Sequence, residues 1–124
     1  MRPRLLIYNR MVADVLEPEA TNLLFHALAD STRRDIIQAT FGHELSVSAL
    51  ARRYPISIPA VQKHVAVLER AGLVTRRRQG REQLVSGEVA AIRRARLLLD
   101  ELEAVWRGRI ERIDALLTHP EGGT

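Results

Sequence analysis

Residues 57–81 read SIPAVQKHVAVLERAGLVTRRRQGR. The segment opens with a serine whose side-chain oxygen can accept from the free N–H groups of a first helical turn, and Pro59 stands where a missing N–H does no harm. A helix is therefore predicted to start at Ile58. Ile58, Val61, Val65 and Leu68 recur at three- and four-residue steps and form one apolar stripe, while Pro59, Gln62, Lys63, Ala66 and Arg70 lie on the opposite side. Gly72 can supply the positive φ that ends such a helix. Leu73 and Val74, a run of arginines, the turn pair Gln79-Gly80, and Leu84-Val85 then read as two short strands of a hairpin. One helix face is made to pack, the other is left on offer, and a basic hairpin follows.

Charge is concentrated on this same unit. Lys63, Arg70, Arg76, Arg77, Arg78 and Arg81 stand against Glu69 alone, giving residues 57–81 a balance of +5, whereas the whole chain carries +4. Residues 1–10 add +3, and 11–56 and 82–124 carry −2 each. A basic patch on an otherwise mildly acidic chain favours a polyanion partner, because neutralising phosphates releases condensed counterions. Composition fixes the class around it. With 124 residues, 46% of them hydrophobic and 27% charged, the chain has the length and makeup of one globular domain. It contains no apolar run of about eighteen residues and no charged-then-apolar leader, so a cytoplasmic location without a membrane span is expected. The lack of cysteine excludes disulfides, thiolate metal sites and cysteine nucleophiles.

Upstream, the arm MRPRLLIYNR shows no sustained periodicity and is read as mobile, with its arginines able to touch phosphate. From Ala20 the pattern turns helical through Leu23, Leu24, Ala27 and Leu28. Asp30-Ser31 offers a cap for a second helix over residues 32–41, with Ile36, Ile37 and Phe41 pointing inward. Gly42-His43 breaks the pattern, and Ser46 caps a short helix over 47–53 that carries Val47, Leu50 and Ala51. Pro55 and the extended bias it imposes on Tyr54 stop that helix. Two short helices across a tight break, the second capped and polar on its outer side, make a helix-turn-helix; the hairpin makes it a winged one. A B-DNA major groove accepts one helix of this kind while the scaffold helix crosses the backbone.

At these residues the chain resembles the ArsR/SmtB family of bacterial winged-helix repressors. LFHALADSTRRDIIQAT followed by HELSVSALARRYPISIPAVQKHVAVLERAGLVTRRRQGRE matches, in order and spacing, four motifs of that family over about Leu23 to Val85. The resemblance implies a homodimeric transcriptional repressor. Ser31 replaces a usual proline, and Gln62 stands where serine is common. Glutamine can pair bidentately with adenine, so the operator is expected to differ from those of near relatives. The family's thiolate site falls on Glu44-Leu45-Ser46-Val47-Ser48-Ala49-Leu50, where both ligand positions are serine, a poor ligand for soft metals. Its second site, on the last long helix, would need acid and histidine at a spacing that Asp100, Glu101, Glu103 and His119 do not reproduce. His26, His43 and His64 lack partners at metal spacing. No metal and no cofactor is expected, and the absence of a nucleophile elbow or glycine-rich phosphate loop argues against an enzyme.

Residues 88–117 read as one helix on which Ile92, Ala95, Leu99, Leu102, Trp106, Ile110, Ile113 and Leu117 form a stripe. This is more apolar surface than the winged unit can cover, so a second copy of the chain is expected to cover it, with part of the stripe clamped on the first helix. The fold expected is mainly α with a small β-hairpin wing: 1–19 arm and start of the first helix, 20–87 winged helix-turn-helix, 88–118 dimerisation helix, 119–124 flexible tail. Base-edge contacts are assigned to Pro59, Ala60, Gln62 and Lys63. Phosphate or, at the wing tip, minor-groove contacts go to Ser57, His64, Arg76, Arg77, Arg78 and Arg81. The dimer interface is assigned to Leu99, Leu102, Trp106, Ile110 and Ile113. Double-stranded DNA and a second copy are the expected partners, with a small-molecule inducer left open. The competing reading is a winged-helix protein-interaction module, which calls for large apolar anchors where Gln62, Lys63 and Arg70 stand.

Overall fold

The computed structural model describes residues 17–118. The arm at 1–10, the tail at 119–124 and His119 lie outside the described residues. Among the described residues five helices and three strands follow one another: α1 (Pro18–Leu28), α2 (Ser31–Thr40), β1 (Leu45–Ser46), α3 (Val47–Arg53), α4 (Ile58–Arg70), β2 (Val74–Gln79), β3 (Glu82–Gly87) and α5 (Val89–Thr118). The winged helix-turn-helix architecture is as the sequence leads one to expect.

The starts of the first four helices are each set by an oxygen placed on free N–H groups. Asp30 accepts from Arg33 N at 3.0 Å, Ser46 from Ala49 N at 3.0 Å and Ser57 from Ala60 N at 3.2 Å. Helix α1 begins two residues before Ala20, because the Glu17 carboxylate takes the N–H groups of Glu19 and Ala20 and Pro18 sits at the first helical position. The end of α4 is a Schellman turn. Gly72, at φ 76°, donates to Glu69 O at 3.0 Å, and Leu73 donates to Leu68 O at 2.9 Å, which aims the chain into β2.

The antiparallel sheet has the order β1-β3-β2. Its third strand is not visible in the sequence pattern, since two residues cannot show alternation; Leu45 and Ser46 pair with Val85 and Leu84. The hairpin register puts Gln79 opposite Glu82, so the loop is Gly80-Arg81 and not Gln79-Gly80. Gly80, at φ 64°, gives the positive-φ first loop residue that matches the strand twist.

The core gathers Leu24 and Ala27 from α1, Ile36 and Ile37 from α2, Leu50 from α3, Val61, Val65 and Leu68 from α4, and Val74 and Val85 from the sheet. Two apolar residues expected inside are not. Helix α2 ends at Thr40, leaving Phe41 extended and 39% exposed, while the inward place goes to Thr40, whose hydroxyl donates to Ile36 O at 2.7 Å. Ile58, at the first position of α4, is 46% exposed because the core begins only one turn later, at Val61. Gly87 is needed for closeness: a Cβ there would meet Ile37 O and Phe41 Cδ1, each at 2.9 Å. Gly87→Ala is expected to cost about 1–3 kcal/mol by overpacking, read as a lower urea midpoint with unchanged m.

Helix α5 is about 45 Å long. Only Ala91, Ala95 and Leu98 are buried, on the side that meets the domain and α1. The expected stripe therefore divides: Ile92 is half-buried against the core, and from Leu99 onward the apolar row is open. Leu102 is 59% exposed, Trp106 60% and Leu117 75%.

Candidate nucleic-acid interface

Helix α4 stands with Val61, Val65 and Leu68 fully buried, which turns Ser57, Pro59, Gln62 and Lys63 outward as exposed residues, with Ala60 and His64 half-buried. Ser57 uses an oxygen lone pair to cap Ala60 N, so its hydroxyl proton is still available to an anion. Ile58 adds an apolar contact next to this polar row.

What holds α4 at its angle comes largely from α2. Arg33 donates from Nε to Ala27 O at 2.9 Å and from Nη2 to His26 O at 2.8 Å, closing the free carbonyl end of α1. Its remaining nitrogen, Nη1, lies 3.4 Å from His64 Nδ1. A guanidinium can only donate, so this contact calls for the His64 tautomer in which Nδ1 accepts and Nε2 carries the proton. Arg34 caps Leu28 O at 2.6 Å. The turn between α3 and α4 is tied down in the same way, with the Tyr54 hydroxyl donating to Asp35 Oδ2 and Arg53 Nε 3.5 Å from the same oxygen.

Burial and the Asp35 carboxylate push the Tyr54 phenol up to about 12. The hydrogen bond from Tyr54, with Arg53 beside it, holds Asp35 below the usual carboxylate value. A raised phenol favours the protonated folded state, so its contribution is complete below pH ~10 and is lost as pH rises through about 12. Asp35 contributes in the opposite sense, with stability lost as pH falls through its lowered value. Tyr54→Phe is expected to cost about 1 kcal/mol at neutral pH and to shrink the stability lost on going from pH ~10 to ~12, as read by thermal unfolding at both.

The wing splits the arginine run by strand alternation. Arg76 and Arg78 share one face and Arg77 takes the other. Arg76 reaches Glu69 on α4 at 2.7 Å and Gln83 at 3.4 Å. Arg77 makes two parallel bonds to Glu44, Nε to Oε2 at 2.7 Å and Nη2 to Oε1 at 2.6 Å, and Ser86 Oγ donates to the same carboxylate at 3.2 Å. Among the described residues Arg78 and Arg81 have no ion-pair partner, and both are exposed.

Residues 28–77 match a protein-family model described as a helix-turn-helix domain. The HTH-type transcriptional regulator Rv2034 of Mycobacterium tuberculosis is 38% identical over 76 residues, covering 61% of this chain and 71% of that protein. The structure of an ArsR-like transcriptional regulator from Rhodococcus sp. RHA1 matches with a TM-score of 0.76 at 30% identity, over 83% of this chain and 94% of its own. The chain belongs to the ArsR family of winged-helix transcriptional regulators. A third similar structure, at 26% identity and a TM-score of 0.55, covers 69% of this chain and 79% of its own; it is the homodimeric winged helix-turn-helix DNA-binding domain of a possible ArsR-family regulator from Mycobacterium bovis.

In this ArsR-family chain the serine at the first thiolate position has a structural task. Ser46 caps α3, and it pairs with Leu84 in the sheet. Among the described residues no three His, Cys, Asp or Glu side chains are grouped to hold a metal ion. Sequence reading did not find the supporting residues Arg33, Asp35 and Glu44. Each acts on a partner in another element, Glu44 across 33 positions to Arg77. The cap at Asp30 was a signal that Arg33 lies in a first helical turn, but not that it reaches back to α1.

Proposed function

We propose that this ArsR-family regulator binds a palindromic operator as a homodimer and represses transcription by occupying promoter DNA, without enzymatic activity. The observation that carries the reading is the exposed row Pro59, Gln62 and Lys63 on α4 beside the unpaired Arg78 and Arg81 of the wing. Pro59, Ala60, Gln62 and Lys63 read base edges, with Gln62 suited to adenine, and Ile58 joins them as an apolar contact for a thymine methyl. Ser57, His64 through Nε2, Arg78 and Arg81 hold phosphates or the minor groove. Leu99, Leu102, Trp106, Ile110 and Ile113, exposed in one chain, bury against their copies in the partner, and self-association as such is supported by the homodimeric state of the M. bovis domain. Repression is supported by the resemblance of the four sequence motifs to repressors.

Selection of bound duplexes from a random pool tests the reading. It should enrich one twofold-symmetric sequence with half-site centres about one helical turn, or a multiple of it, apart. A pool that stays random through successive rounds contradicts it.

A further inference from the structure

The geometry points to Arg77 as a positioning residue that clamps the wing to the entrance of the helix-turn-helix through Glu44, leaving Arg78 and Arg81 to meet the phosphates. This rests on the DNA-binding reading above and assigns separate work to neighbouring arginines that look alike in the sequence. Three observations carry it.

The first is direction. On β2 successive side chains alternate faces, so Arg77 cannot share a surface with Arg76 and Arg78. The second is satisfaction. Arg77 meets Glu44 in a planar two-point pairing at 2.6 and 2.7 Å, the strongest geometry open to a guanidinium, and Ser86 fixes the carboxylate from β3. A phosphate would have to displace an anion already in place. The bond from Arg77 also holds the Glu44 carboxyl below its usual range. The third is location. Glu44 directly precedes β1, whose Ser46 caps α3, and the contact spans the sheet from β1 across β3 to β2. The pair therefore fixes the hairpin relative to α3 and, through the core, to α4. Arg76 does the same from the opposite face through Glu69 on α4.

The formal charge of the wing thus overstates its pull on DNA. Arg76 and Arg77 are each matched by a carboxylate, and the free cations are at the tip.

Salt titrations of operator binding separate a clamp from a phosphate contact. Neutralising a phosphate releases counterions, so Arg78→Ala should flatten the plot of log affinity against log salt by about 0.9 per subunit. Arg77→Ala should shift the whole line to weaker binding, roughly 2- to 25-fold over two subunits, with its slope unchanged. The double exchange Glu44→Arg with Arg77→Glu rebuilds the pair in reverse and should recover most of the lost affinity. In the DNA-free protein, the Arg77 Nε–H resonance should be protected from solvent exchange and lose that protection in Glu44→Gln, with Arg78 unprotected in both. A flattened slope in Arg77→Ala, or a double exchange weaker than Arg77→Ala alone, overturns the assignment, since a glutamate facing phosphate would repel it. An unprotected Arg77 Nε–H in the wild type also overturns it. Equal binding of operator and scrambled duplexes by the wild type would instead refute the DNA-reading function, while the exchange measurement would still judge the clamp.

Discussion

Leu102→Glu with Trp106→Glu is expected to convert a species of twice the 14.0 kDa chain mass into a folded monomer and to weaken operator binding by orders of magnitude. The two side chains are 59% and 60% exposed on a helix whose domain-facing side is already filled by Ala91, Ala95 and Leu98. Burying a large apolar side chain contributes roughly 1.5–3 kcal/mol, and a twofold interface buries each of the two residues twice. After a discount of roughly 0.5–1.5 kcal/mol per side chain for ordering, the sum corresponds to a change in dimer dissociation constant on the order of 10³. The winged unit should survive, since the core lies before Leu99; sedimentation and circular dichroism of the same samples read both consequences. An unchanged mass at micromolar concentration would remove α5 from the interface. The surface ion pairs on this helix, Arg96 with Asp100 and Arg107 with Glu103, are i,i+4 contacts within one chain and do not hold two copies together.

The second large effect concerns reading. Gln62 is exposed on α4 one residue after Val61, which is fully buried and fixes the rotation of the helix. A bidentate glutamine–adenine pair is worth about 1–3 kcal/mol of discrimination, so Gln62→Ala should reduce the preference for the correct base in each half-site by about 5- to 150-fold. Binding to a scrambled duplex should hardly change, because phosphate contacts carry that affinity. Equal weakening on both duplexes would mean that Gln62 anchors and does not read.

The parts of this fold that the sequence makes legible are those written in neighbouring residues. Ser57 and Pro59 start α4, and Gly72 closes it in a Schellman turn, so the helix expected from the sequence has the observed bounds. The caps at Asp30 and Ser46 are local in the same sense. Where the reading goes astray, distant partners decide. Phase along α2 favours Phe41 as an inward residue, yet the helix ends at Thr40 and Phe41 covers Gly87 from outside. Ile58 fits the apolar stripe of α4 by spacing, but the stripe outruns the core by a turn. On α5 the apolar positions serve two surfaces, and periodicity cannot separate those buried against the domain, Ala91, Ala95 and Leu98, from those left open from Leu99 onward. The arginine run is the sharpest case. Counted as charge it is one patch; placed on a strand it has two faces, and each face finds its own carboxylate, Glu69 or Glu44, from elements 7 and 33 positions away.

Recognition of a particular DNA sequence by α4 and the wing together is open to a direct test. The most direct measurement is the ratio of affinities for the selected operator and a scrambled duplex of the same length, taken at one physiological salt concentration. A ratio of about 10³ or more is expected, the range of specific regulators. A ratio near one, with both affinities falling equally as salt is raised, would contradict it, leaving only a basic surface that binds DNA through its phosphates.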